Sequence, residues 1–150
     1  MMLIDILLVE DNPDDRELTL NAFQKLGVVD RVKTFHDGIG VLDYLLDDRV
    51  GQDSDRYALK LILLDLNLPK INGLEVLEQL RADVRTQVIP IVMLTSSIRD
   101  QDRIMSYSKG INSYIRKPVN FDEFMNLAKE LTIYWTEINN QPLLPRSIGV

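Results

Sequence analysis

Apolar positions along the chain follow two rhythms. The runs Ile4-Asp5-Ile6-Leu7-Leu8-Val9, Lys60-Leu61-Ile62-Leu63-Leu64 and Ile89-Pro90-Ile91-Val92-Met93-Leu94 are nearly unbroken. They read as strands buried on both faces, as inner strands of a parallel sheet are. Val32 to Phe35 and Ser113 to Arg116 read as two shorter strands. Between the runs, apolar residues recur at helical spacing: Leu18, Ala22 and Leu26; Ile39, Leu42, Leu45 and Leu46; Leu74, Leu77 and Leu80. Asp100 to Ser108 gives a fourth, more polar helix and Asn120 to Asn139 a fifth. In the fifth, Phe121, Phe124, Ala128, Leu131, Trp135 and Ile138 form the stripe for the sheet, with Leu127 and Tyr134 off it.

Punctuation agrees with these rhythms. Asn12 before Pro13 can cap the first helix, the acids Asp14 and Asp15 suit its positive end, and Gly27 closes it. Asn72-Gly73 opens the third helix, and Ser97 or Asp100 can cap the fourth. Asp47 to Tyr57 reads as a polar surface loop. Five strands alternating with five helices imply an α/β, doubly wound, mostly parallel five-stranded sheet with helices on both faces. The 150 residues make one domain, 1–150, with 132–150 extending the last helix into a tail.

Composition narrows the classes. Apolar residues are 45% and charged residues 27%, the balance of a soluble globular chain. A net charge of −6 argues against non-specific nucleic-acid binding, which needs excess Lys and Arg. There is no Cys, hence no disulfide framework or thiol nucleophile, which suits a reducing cytoplasm. No apolar stretch is long enough to span a bilayer, so no membrane partner is expected.

The chemistry lies at the strand ends. The central run closes on Asp65, the first on Glu10-Asp11, the fourth on Thr95-Ser96 and the fifth on Lys117-Pro118. Parallel strands would bring three carboxylates, a hydroxyl and an ammonium to one carboxyl edge, where open α/β sheets bind ligands. Two carboxylates about 4 Å apart repel by about 4 kcal/mol at an effective dielectric of 20. A hard cation offsets that, and Mg²⁺ suits a site with few carboxylates and room for a phosphoryl oxygen. Carboxylates also serve as nucleophiles that form aspartyl phosphates, and the transferred group needs donors such as Lys117, Thr95 and Ser96.

These motifs resemble the receiver domains of two-component response regulators. The pieces are Leu7-Leu8-Val9-Glu10-Asp11, Leu63-Leu64-Asp65-Leu66-Asn67-Leu68-Pro69 with Asn72-Gly73, Leu94-Thr95-Ser96 and Tyr114-Ile115-Arg116-Lys117-Pro118. The match runs over about residues 3 to 131. The resemblance implies a flavodoxin-like strand order 2-1-3-4-5, with Asp65 as phosphoacceptor served by a histidine kinase. It implies Mg²⁺ held by Glu10, Asp11, Asp65 and the Asn67 carbonyl, phosphoryl contacts from Thr95 and Lys117, Tyr114 as switch aromatic, and a cis Lys117–Pro118 bond. Glu10 departs mildly from the more common Asp, and its longer arm suggests contact with the ion through water. The polar loop before the central strand, the lack of an output domain and the ending Tyr134-Trp135 to Pro142-Leu143-Leu144-Pro145 are similar to stand-alone regulators of bacterial phytochrome kinases.

Two other classes compete. Hydrolases of the haloacid-dehalogenase type need a second acid two residues after the nucleophile, where this chain has Asn67. A flavin binder would need a Ser/Thr/Gly-rich phosphate loop, where Glu10 to Asp14 is acidic. A non-enzymatic signalling module acting through protein contacts is therefore expected. His36, the one histidine, reads as a turn residue. A fifth helix about 30 Å long would overhang the domain, exposing Trp135 and Ile138. With Leu143, Leu144, Ile148 and Val150 in the tail, it would form a homodimer.

Overall fold

Strand β1 (Ile6–Val9) pairs in parallel with β2 (Val32–Phe35) on one side and β3 (Leu61–Leu64) on the other. Beyond β3 lie β4 (Ile91–Thr95) and the edge strand β5 (Ser113–Arg116), completing the order β2-β1-β3-β4-β5. The computed structural model describes residues 4–48 and 58–142. Most of the expected loop (49–57) and the tail residues Leu143, Leu144, Ile148 and Val150 lie outside them.

Successive side chains of a strand point to opposite faces, and the core divides accordingly. On one face Leu7, Val9, Ile62, Leu64, Ile91 and Met93 pack with Val41 and Leu45 of α2 (Gly38–Leu46) and with Val76, Leu77 and Leu80 of α3 (Gly73–Ala82). On the other, Ile6, Leu8, Leu61, Leu63 and Val92 pack with Phe23 of α1 (Pro13–Lys25) and Leu131 of α5 (Phe121–Ile133). Helix α4 (Asp100–Ser108) lies beside β5 and α3. Among the described residues no helix is long and apolar enough to cross a membrane.

Helix boundaries follow the capping residues, but the buried stripes shift in phase. Asn12 Oδ1 accepts from the Asp14 and Asp15 amides, and Gly27 lies just past the helix at a left-handed φ of 75°. The buried residues of α1 are Thr19, Ala22 and Phe23, with Leu18 and Leu26 only half-buried. In α2, Val41 is buried and Ile39 is exposed. Phe121 is also exposed, with the Lys25 ammonium over its ring. Apolar neighbours on a 3.6-residue period offer several stripes about 100° apart, and the facing sheet decides between them. At α4 the cap position is Arg99, without a side-chain bond. Ser97 Oγ instead accepts from the Arg99 amide and donates to Asp102 at 2.5 Å.

Two further expectations are corrected. There is no cis peptide bond among the described residues, so Lys117–Pro118 is trans. Beyond α5 the chain continues as a π-helical turn, Tyr134–Ile138, closed by the Asn139 amide on the Tyr134 carbonyl at 2.7 Å. Trp135 in that turn packs against the second core cluster rather than overhanging, whereas Ile138 is 58% exposed. The wider turn re-aims side chains relative to a regular α-helix.

Candidate functional site

Hydrogen bonding runs past the strand ends and fixes the residues just beyond them. The Glu10 amide donates to the Phe35 carbonyl (3.0 Å), the Asp65 amide to Val9 (3.1 Å) and the Lys117 amide to Thr95 (2.7 Å). Three ionisable residues are thus held at the carboxyl edge by main-chain bonds. Glu10 and Asp65 are buried and Asp11 is exposed. One carboxylate oxygen of each lies within 4.8 Å of those of the other two.

Lys117 reaches into this group. Its Nζ donates to Glu10 Oε1 (2.6 Å), Asp65 Oδ2 (2.8 Å) and Asp15 Oδ2 (2.8 Å). Asp65 Oδ1 accepts from the Asn67 amide at 3.1 Å, and Glu10 Oε2 from the Asn12 amide at 3.2 Å. Thr95 is fully buried at the end of β4, where its Oγ1 accepts from the Ser97 amide at 3.2 Å. Ser96, the other residue considered as a donor, is exposed. The Tyr114 ring packs against the first core cluster, and its hydroxyl is buried without a hydrogen-bond partner. A cavity of about 250 Å³ adjoins it, lined also by Ser97, Arg99, Arg103 and Arg116. His36 is exposed.

Two contributors escaped sequence reasoning. Asp15 supplies the third carboxylate on Lys117, and Arg16 Nη1 donates to the Glu10 carbonyl at 3.0 Å. Both stand in the first turn of α1, where acids are ordinary because of the helix dipole. The available signal was their place one turn beyond the acidic pair.

Burial is the largest influence on Glu10 and, with Asp65 beside it, raises its pKa to about 7 against the pull of Lys117. Burial opposes the charge of Lys117, but the hydrogen bonds it donates to Asp15, Asp65 and Glu10 outweigh that and raise its pKa. The ammonium stays charged at neutral pH.

Three hard oxygen donors in one cluster, one of them exposed to entering solvent, fit a divalent cation that prefers oxygen ligands. Bound protons compete with such a cation. Cation affinity should therefore rise as pH climbs through about 7, where Glu10 deprotonates. Calorimetric Mg²⁺ titrations at about pH 6 and about pH 8 should differ in this sense; affinity falling with pH would contradict the role of Glu10.

Residues 6–129 match the family model of the response regulator receiver domain. The "Probable methanogenesis regulatory protein FilR2" of Methanothrix harundinacea is 40% identical over 91% of this chain and 86% of its own length. The structure of the phosphorylated cyanobacterial phytochrome response regulator RcpA superposes with a TM-score of 0.82 at 34% identity, covering 95% of this chain and all 100% of that one. The Mn²⁺-bound form of response regulator Rcp1 gives 0.78 at 31% identity, covering 93% and 99%. With its strand order, its acidic cluster and its lysine in place, the chain belongs to the response regulator receiver domain family.

Proposed function

We propose that the chain is a phosphorylation switch in which Asp65 takes a phosphoryl group from the phosphohistidine of a phytochrome-type histidine kinase. The observation that carries this reading is the Asp65 carboxylate at the end of the central strand, held by Lys117 among the carboxylates of a candidate cation site. One Asp65 oxygen attacks phosphorus, the P–N bond breaks, and the electron pair stays on the imidazole. Mg²⁺, bound by Glu10, Asp11, Asp65 and the Asn67 carbonyl, would neutralise charge on the transferred group. Lys117 would donate to one phosphoryl oxygen and the buried Thr95 hydroxyl to another. The kinase class rests on the similarity to the phytochrome response regulator RcpA.

Output would pass through Thr95 and Tyr114 to a protein-binding face. The buried, unpartnered Tyr114 hydroxyl supports an inward position of the switch ring. Intact-mass measurement should show one phosphoryl group after acetyl phosphate with Mg²⁺ and none after chelation of the metal. Labelling that survives chelation would defeat the metal-assisted reading.

The same chain would act as a homodimer through α5 and its extension. Tyr134 and Ile138 are exposed there, beside an open groove of about 670 Å³ lined in part by Ile115, Leu127 and Leu131. Light scattering should give twice the chain mass of 17.3 kDa, falling to the monomer in Ile138→Glu. A monomer at high concentration, phosphorylated or not, would exclude the dimer.

A further inference from the structure

The ammonium of Lys117 and a divalent cation would draw on the same carboxylates. Glu10 and Asp65 belong to the cation cluster, and each already gives an oxygen to Lys117. The third partner, Asp15, does not belong to that cluster. The Lys117 side chain is only 7% exposed, so water cannot readily replace a lost carboxylate. A buried ammonium stripped of partners is strongly disfavoured. A cation entering the cluster must therefore compete with a group that has nowhere else to go, unless Asp15 holds it.

The fold keeps Asp15 in place for that purpose. Its amide donates to the Asn12 cap at 3.1 Å, and its carbonyl accepts from Thr19 Oγ1 at 2.8 Å. The next residue, Arg16, donates to the carbonyls of Glu10 (3.0 Å) and Asp11 (3.4 Å). One turn of α1 thus fixes both the backbone of the acidic pair and an anchor for the lysine. We propose that Asp15 is a positioning residue, which retains Lys117 so that Glu10 and Asp65 can turn to the cation. This rests on the reading of the cluster as a divalent-cation site.

The test is calorimetric titration of Mg²⁺ into the full chain. Asp15→Asn should weaken binding about tenfold, and Asp15→Glu should recover most of it. A distant negative charge would also attract Mg²⁺, so the comparison is repeated with Lys117→Met, or with Lys117→Gln if that variant folds better. Acting through Lys117, Asp15→Asn should then change affinity by less than about twofold. Wild-type affinity in Asp15→Asn, or an undiminished loss in the lysine-free background, would overturn the proposal. Absence of Mg²⁺ binding by the wild-type chain would instead overturn the reading of the cation site, and the inference with it.

Discussion

Asp65→Asn will gain no phosphoryl group from acetyl phosphate and Mg²⁺, under conditions where the wild-type chain gains one. The substitution keeps the size of the side chain and removes the nucleophilic carboxylate. Lys117 retains Glu10 and Asp15 as partners, so the variant should still fold. Other carboxylates do not make convincing substitutes. Glu10 is buried, tied to Lys117 and the Asn12 amide, and its pKa is pushed up to about 7. Asp11 is exposed and lies among the same oxygens, so it is a rival. Intact-mass spectra with peptide mapping separate the two. Equal labelling of wild type and variant would move the acceptor away from Asp65.

The strand ends were legible because an unbroken apolar run admits few placements. Leu61 to Leu64 must lie inside a sheet, and the polar residue after such a strand reaches the carboxyl edge. Lys117 and Glu10 were found the same way and do meet, although 107 residues separate them. Helix faces were harder. Leu18 and Phe23 both suit an amphipathic stripe, and only the sheet opposite selects Phe23. Asp15 was hidden by a sufficient local explanation, since an acid in a first turn needs no further reason. The π-helical turn after Ile133 left no sequence mark, because Tyr134 and Trp135 also suit a regular helix. Next to Asn72, Gly73 suits the opening of a helix, and that local fit hides its main constraint.

Gly73→Ala should destabilise the chain by about 3 kcal/mol, against local helix preference. Alanine in a helix is ordinarily better than glycine by about 0.5–1 kcal/mol. The Asn72–Glu75 capping box, with bonds of 3.0 and 3.3 Å, involves no atom of residue 73 and would survive. Space decides the sign. A Cβ at position 73 would lie 2.3 Å from the Asp65 carbonyl oxygen and 2.8 Å from Leu66 Cα. Both are main-chain atoms, and the Gly73 amide is bonded to the Leu66 carbonyl at 2.8 Å, so no rotamer change gives relief. Either α3 withdraws, pulling Val76, Leu77 and Leu80 from the core, or the Asp65–Leu66 backbone yields. The second response displaces the proposed acceptor, and a shift of about 1 Å can cost about a hundredfold in rate. Urea unfolding should show a lowered midpoint, and labelling of the still-folded variant should slow by more than its unfolded fraction explains. A midpoint equal to or above that of the wild-type chain would mean that helix and strand can part freely, and that Asp65 is not positioned by this contact.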